Sequence, residues 1–285
     1  MLLLILIFIL TLLIINPNIS SACIIETASL WFTNLVPILY PTFIVLDFLS
    51  NNKSLDLICT NFFGFFKKIF KINYPKSAVI IILSLICGAP SSTKLVLNAL
   101  KNEEIDKTEA KNLIYCWSWF SISYSIFILN KLNCNTILYI ILIFIASLLT
   151  FRFLNKPTKT NLIIKKQPKN FIDIFSSSFK KNIDILLTIL GIMMFFNIIL
   201  AMTEISPYIY SYFEVLNGHS LLNNLQINKK LKDILLISSL SFLGISTHLQ
   251  IISVYQNINY IKFLTVKIVQ SLFVSLFFIT FVILF

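Results

Sequence analysis

A chain of 285 residues that is 57% hydrophobic and only 12% charged, with a mean hydropathy of +0.87, excludes a soluble globular protein, which would carry roughly twice that charged fraction. Its net charge of +11 does not point to nucleic acid, because the basic residues gather between apolar runs. Lys67, Lys68, Lys71 and Lys76 form one group, and Arg152 to Lys181, opposed only by Asp173, form another. Basic segments of this kind mark cytoplasmic loops that face the anionic headgroups of a lipid bilayer.

Several apolar runs approach or exceed the roughly 18 to 20 residues that cross a bilayer. The expected fold is therefore an all-α polytopic membrane protein, with about six full spans and two re-entrant hairpins arranged as an inverted repeat. Five cysteines form no CxxC pair, which argues against metal or disulfide chemistry. No nucleophile–base pair, paired carboxylates or phosphate-binding loop stands out, so no catalytic residue, metal ligand or cofactor is expected.

Met1–Ile15 reads as a short first span. Ser21-Ala22-Cys23 faintly resembles a lipoprotein cleavage site, but no positive segment precedes it. The next helix, Cys23–Leu49, contains Pro37 and Pro41, which are expected to break it in mid-membrane. Asn34, one turn before Pro37, either lines a cavity or satisfies carbonyls freed by the proline. Phe62–Lys71 interleaves aromatics with lysines, as a helix lying in the membrane interface does.

Ala78–Cys87 is apolar but, at about ten residues, too short to span. Gly88 and Pro90 then break the helix, and Ser91, Ser92, Thr93 and Lys94 follow. Broken backbone at membrane depth must be buried in protein or line water. Ala78–Leu100 is therefore read as a re-entrant hairpin. Its hydroxyls either cap and pack or cradle a solute. An intramembrane lysine such as Lys94 calls for a partner or a wet cavity, unless it snorkels from a shallow hairpin.

Asp106-x-x-Glu109 reads as a capping box opening a span to Leu129 that is rich in serine, and Thr136–Phe151 is an extra span. The basic loop 152–182 is expected to carry a surface helix around Phe171–Phe179. Ile183–Met202 spans, and Glu214 belongs to an extramembrane turn. Ile234–Tyr255 has apolar ends and a polar centre, with Gly244, Ser246, Thr247, His248 and Gln250. It is read as the second hairpin, broken at Gly244 and dipping from the other face, before a last span over Lys262–Phe285. If it spans fully instead, this symmetry fails.

Residues 23–129 and 183–285 thus form two inverted units, and paired broken elements meeting near the midplane are typical of secondary transporters. The solute-binding candidates are Ser91, Ser92, Thr93 and Lys94, then Ser246, Thr247, His248 and Gln250, and Asn34. His248 and Gln250 either join the hairpins in a polar network or touch ligand, and His248 is a candidate for proton coupling. Solute handling requires Ser91 and Ser246 to border an aqueous cavity. The partners expected are the bilayer and a small polar solute; no oligomeric state is read.

Leu30-Trp31, Val36-Pro37 and Tyr40-Pro41-Thr42-Phe43-Ile44 resemble the opening signature of the YlbJ-type sporulation integral membrane proteins, of the wider group with nucleoside-recognition, or Gate, domains. Gly88 to Lys94 is similar to that family's G-Y-P-S-G-A-K, and Ser241 to Gln250 to its S-F-G-G-L-S-V-H-x-Q. Phe213 to Gly218, Lys107 to Ala110, Lys267 and Gln270 also fit. Ser92 and Leu243 replace family glycines, and Trp117 and Ser118 replace paired asparagines. The resemblance implies a role in endospore formation; that the hairpins bind or move a small polar solute is suggested by their polar residues. Its alternative is a non-transporting structural or assembly component of the spore envelope.

Overall fold

The computed structural model describes residues 13–50, 53–131, 135–156, 171–203 and 205–284, with positions 7, 10 and 11. Most of the span expected over Met1–Ile15, Cys134 and the centre of the basic loop lie outside the described residues. The described elements are helical. Six of them are long and apolar enough to cross a membrane: Pro17–Ser50, Lys107–Leu129, Thr136–Leu154, Ser178–Met202, Lys229–Val254 and Tyr260–Phe281.

Helix α1 is Pro17–Ser50, opened by a proline in its first turn, where a missing N–H is not needed. Pro37 and Pro41 do not break it, contrary to expectation. Trp31–Leu35 forms one wide π turn, and α-helix resumes at Val36. Pro37 offers no N–H to the turn before it, and the backbone widens that turn instead of ending the helix. Short helices α2 (Lys53–Asn61) and α3 (Phe63–Phe70) follow.

The first hairpin is α4 (Pro75–Cys87) and α5 (Ser91–Lys101), parted by Gly88-Ala89-Pro90. Its two feet lie together. Lys76 Nζ, at the start of α4, is 2.7 Å from Asp56 Oδ1 and 4.0 Å from Glu104 Oε2, just past α5. Thirteen residues of α4 rise roughly 20 Å, less than the roughly 30 Å hydrocarbon core. The chain therefore enters and leaves at one end, called here the basic end. Helix α3 meets α4 at a bend of 69°, and so lies across that end.

The next span is broken into α6 (Lys107–Trp117) and α7 (Ile122–Lys131) by four non-helical residues, Ser118–Ser121, where the sequence suggested one helix. Ser121 Oγ restarts the helix by accepting from Tyr124 N at 3.1 Å. Half of the expected capping box forms: Asp106 accepts from Glu109 N at 2.6 Å. The Glu109 carboxylate turns instead to Asn73 N, at 2.9 and 3.1 Å, and ties down the root of the hairpin. Helix α8 (Thr136–Leu154) returns to the basic end, where the Arg152 guanidinium donates to the carbonyls of Lys68 and Ile69 at the end of α3.

Helix α9 runs unbroken over Phe171–Met202, so the expected surface helix at Phe171–Phe179 is continuous with the helix that carries the span Ser178–Met202. The second hairpin is not where the sequence placed it. It is α10 (Pro207–Phe213) and α11 (Val215–Asn224), joined at Glu214. Tyr210 Oη donates to Asn197 Oδ1 near the end of α9 at 2.8 Å. At the other foot, Lys232 Nζ donates to Asn223 O at 2.8 Å.

Ile234–Tyr255 instead spans fully, as α12 (Lys229–Phe242) and α13 (Gly244–Val254) with a break at Leu243. Helix α14 (Tyr260–Leu284) runs back beside it, with Ser271 Oγ donating to Ser238 O at 2.8 Å. Asn259 N, before α14, donates to Tyr115 Oη on α6 at 3.2 Å, which fixes the 255–259 turn at the basic end. The symmetry survives this correction, because each half reads span, hairpin, broken span, span. Residues 136–154 are the fourth element of the first half and not an extra span.

Candidate functional site

The two hairpin tips meet in the middle of the molecule, each seated against the break of the span that follows it. Ala89 N donates to Trp119 O at 2.6 Å, and a Cβ on Gly88 would fall 2.2 Å from Ser121 N. In the second half, a Cβ on Gly244 would lie 2.8 Å from Val215 Cγ2 and 3.3 Å from Phe213 O. Both glycines adopt positive φ, +63° and +66°, a region in which a Cβ is strained. Gly88, Pro90 and Gly244 are thus where hairpin and break interlock.

A cavity of about 40 Å³ lies between the tips, lined by Pro90, Ser121, Glu214, Thr247 and Gln250 among others. It has room for a few waters and not for a solute. On its basic side Pro90 and Gln250 also border a cleft of about 370 Å³, with Lys94, Lys101, Lys181 and Thr188, within the size range of ligand sites. On the far side Leu216 is shared with a cavity of about 70 Å³ that holds Asn34, His219, Ser220 and Asn223. The three cavities succeed one another across the molecule, wide at the basic end and narrow beyond it.

Two polar clamps flank this path. At the basic end Lys94 Nζ lies 2.8 Å from Asp47 and donates to Asn182 Oδ1 at 2.6 Å, while Asn182 Nδ2 donates to Asp47 Oδ2 at 3.2 Å. This ties α5, α1 and α9 together. At the opposite end Asn197 Nδ2 donates to Thr27 Oγ1 at 3.0 Å, and Tyr210 Oη donates to Asn197 Oδ1 at 2.8 Å. This ties α9, α1 and α10. In each clamp one residue comes from the hairpin and two from the first spans of the two halves; only the basic-end clamp is ionic.

The sequence candidates divide. Lys94, Thr247, Gln250 and Asn34 line cavities. Ser91, Ser92 and Thr93 are buried, with hydroxyls that have no partner among the described residues, and none of them lines these cavities. Ser246 is buried and accepts from Gln250 Nε2 at 3.4 Å. His248 Nε2 bonds Phe242 O at 2.8 Å, and its ring packs 4.9 Å from those of Phe242 and Phe263. It serves a carbonyl freed by the break at Leu243 and lines none of these three cavities. The expectation that Ser91 and Ser246 border water is not met: both are buried and neither lines these cavities, while their neighbours Pro90 and Thr247 line the central one.

Sequence reasoning misplaced Glu214. It is buried at the tip of the second hairpin, where its carboxylate accepts from Leu216 N at 3.1 Å and Asn217 N at 2.7 Å. The usable signal was an acidic residue directly before a helix, which compensates orphan N–H groups. The roles of Lys267 and Gln270 were also not legible. Lys267 Nζ donates to Ser118 O and, at 2.9 Å, to Gln270 Oε1. Gln270 Nε2 donates to Cys116 O at 3.0 Å. Together they satisfy the carbonyl end of α6, where a cation complements the helix dipole.

No family model matches the chain, and neither does a curated protein or a solved structure.

Proposed function

We propose that this polytopic membrane protein moves a small polar solute by alternating access, and that it does so in endospore formation. The observation that carries the transport reading is the meeting of two oppositely inserted hairpin tips at a small, mostly apolar cavity into which Ser121, Glu214, Thr247 and Gln250 bring polar groups, with a wide cleft on one side. Broken elements meeting near the midplane, with rigid-body motion of one half against the other, are the working parts of secondary transporters. The role is not enzymatic. The sporulation reading rests on the resemblance to YlbJ-type proteins, whose motif residues Gly88, Pro90, Gly244, Lys267 and Gln270 sit at the two breaks and their supports. The basic-end loops hold that face against anionic headgroups.

The test is a single cysteine at Thr247, which lines the central cavity, in protein whose native cysteines are replaced. Alternating access predicts slow labelling by impermeant thiol reagents from each face of oriented vesicles. A second reading, a structural component of the spore envelope, is favoured by the sealed hydroxyls of Ser91 and Ser246. It predicts no labelling from either face in folded protein.

A further inference from the structure

We infer that the solute is a small water-borne anion that enters at the basic end and is met first by Lys101, Lys181 and Lys94. This rests on the solute-moving reading and adds the charge of what is moved. The cleft lies between α5, α9 and α13. Lys94, Asn98 and Lys101 lie on one face of α5, at spacings of four and three residues. Lys181, Asp184 and Thr188 share one face of α9, at spacings of three and four residues, and Gln250 and Ser253 come from α13. A polar stripe on a membrane span is costly unless it faces water, and these stripes face each other.

The net charge of the cleft is positive. Its charged lining is three lysines and one carboxylate, Asp184. Even counting Asp47, which engages Lys94 from behind, lysines exceed carboxylates. Among the described residues neither Lys101 nor Lys181 takes part in an ion pair. Beside them, Asn98 and Gln250 bring amide N–H donors, while the hydroxyls of Thr188 and Ser253 donate to carbonyls of their own helices, Asp184 O at 2.8 Å and Gln250 O at 2.7 Å. Glu214 lies beyond Pro90 in the central cavity, bonded to the first N–H groups of α11, and is not part of the cleft's lining.

A lipid phosphate and a dissolved phosphate or carboxylate share this chemistry, but depth favours the dissolved one. The cleft runs from Lys101 at the foot of α5 to Pro90 at its head, eleven helical residues or roughly 16 Å. A headgroup layer is only roughly 5–8 Å thick.

The experiment attaches bimane to Ser253→Cys, which is exposed in the cleft. The full chain, without its native cysteines, is placed in phosphatidylcholine nanodiscs and quenched by iodide, caesium or neutral acrylamide. Iodide is expected to exceed acrylamide roughly 3- to 10-fold, by local enrichment of anions, with caesium weakest. Lys101→Gln with Lys181→Gln is expected to bring iodide back to the acrylamide level without changing the melting temperature, and inorganic phosphate to compete with iodide. Acrylamide access without iodide preference would overturn the anion inference and leave transport standing. A probe closed to all three quenchers would overturn both. Loss of iodide access on adding phosphatidylglycerol, with no competition by phosphate, would assign the cleft to a lipid headgroup and overturn it as well.

Discussion

At the scale of single residues, the tip of the first hairpin and the break between α12 and α13 tolerate no side chain where Gly88 and Gly244 stand. Gly88→Ala meets the backbone of Phe120 and Ser121 and a positive φ at once. It is expected to cost about 2–5 kcal/mol, from overpacking and left-handed strain together, read as thermal unfolding in detergent. Gly191→Ala, in mid-helix with nothing within 4 Å, is expected to be neutral or stabilising by up to about 1 kcal/mol. An equal loss in both would show that the Gly88 contact is not what matters. Gly88 and Pro90 were legible because glycine and proline punctuate a helix locally. The break at Ser118–Ser121 was not, because it contains neither. It is held open by Lys267 and Gln270, about 150 residues away, and no local pattern records that. Asn34 was legible as a polar residue beside a proline. His219, which lines the same far cavity and bonds Ser239 Oγ at 2.9 Å, lay in a stretch too mixed to single out.

At the scale of elements, the hairpins are held by polar clamps to the first spans. Asp47→Ala leaves Lys94 facing Asn182 alone in a largely buried site. It is expected to destabilise by about 3–5 kcal/mol, the usual cost of stranding one member of a buried ion pair. Adding Lys94→Met is expected to recover most of that loss, which a double-mutant cycle measures. If Lys94→Met in the Asp47→Ala background recovered nothing, the clamp would not be a coupled pair. The first hairpin was legible from Ala78 to Leu100 because its longer arm is a clean apolar run. The second escaped because its arms, seven and ten residues, are too short to stand out in a hydropathy reading. The polar centre of Ile234–Tyr255 then drew the assignment one element too far along the chain. That centre is a break within a span, where His248 serves the freed carbonyl of Phe242, Gln250 bonds Ser246, and Thr247 and Gln250 line the central cavity.

At the scale of the whole molecule, two four-element halves of opposite sense enclose a row of cavities, and apolar side chains such as Phe32, Phe153 and Leu276 cover the outside. The composition and the basic segments made the membrane class and the basic face plain before any coordinates. The arrangement keeps Lys229, Lys230 and Lys232 at the opposite end, against the usual bias; one of them, Lys232, is engaged there by the carbonyl of Asn223. The inverted order depends above all on where the chain turns between α13 and α14. The most direct measurement is therefore the sidedness of a single cysteine at Asn257, exposed in that turn, compared with Glu103→Cys at the basic end and Asn223→Cys at the other. Labelling of Asn257→Cys by an impermeant thiol reagent from the same face as Glu103→Cys is the expected result. Labelling from the face of Asn223→Cys would make Ile234–Tyr255 re-entrant after all and would contradict the paired halves on which the transport reading stands.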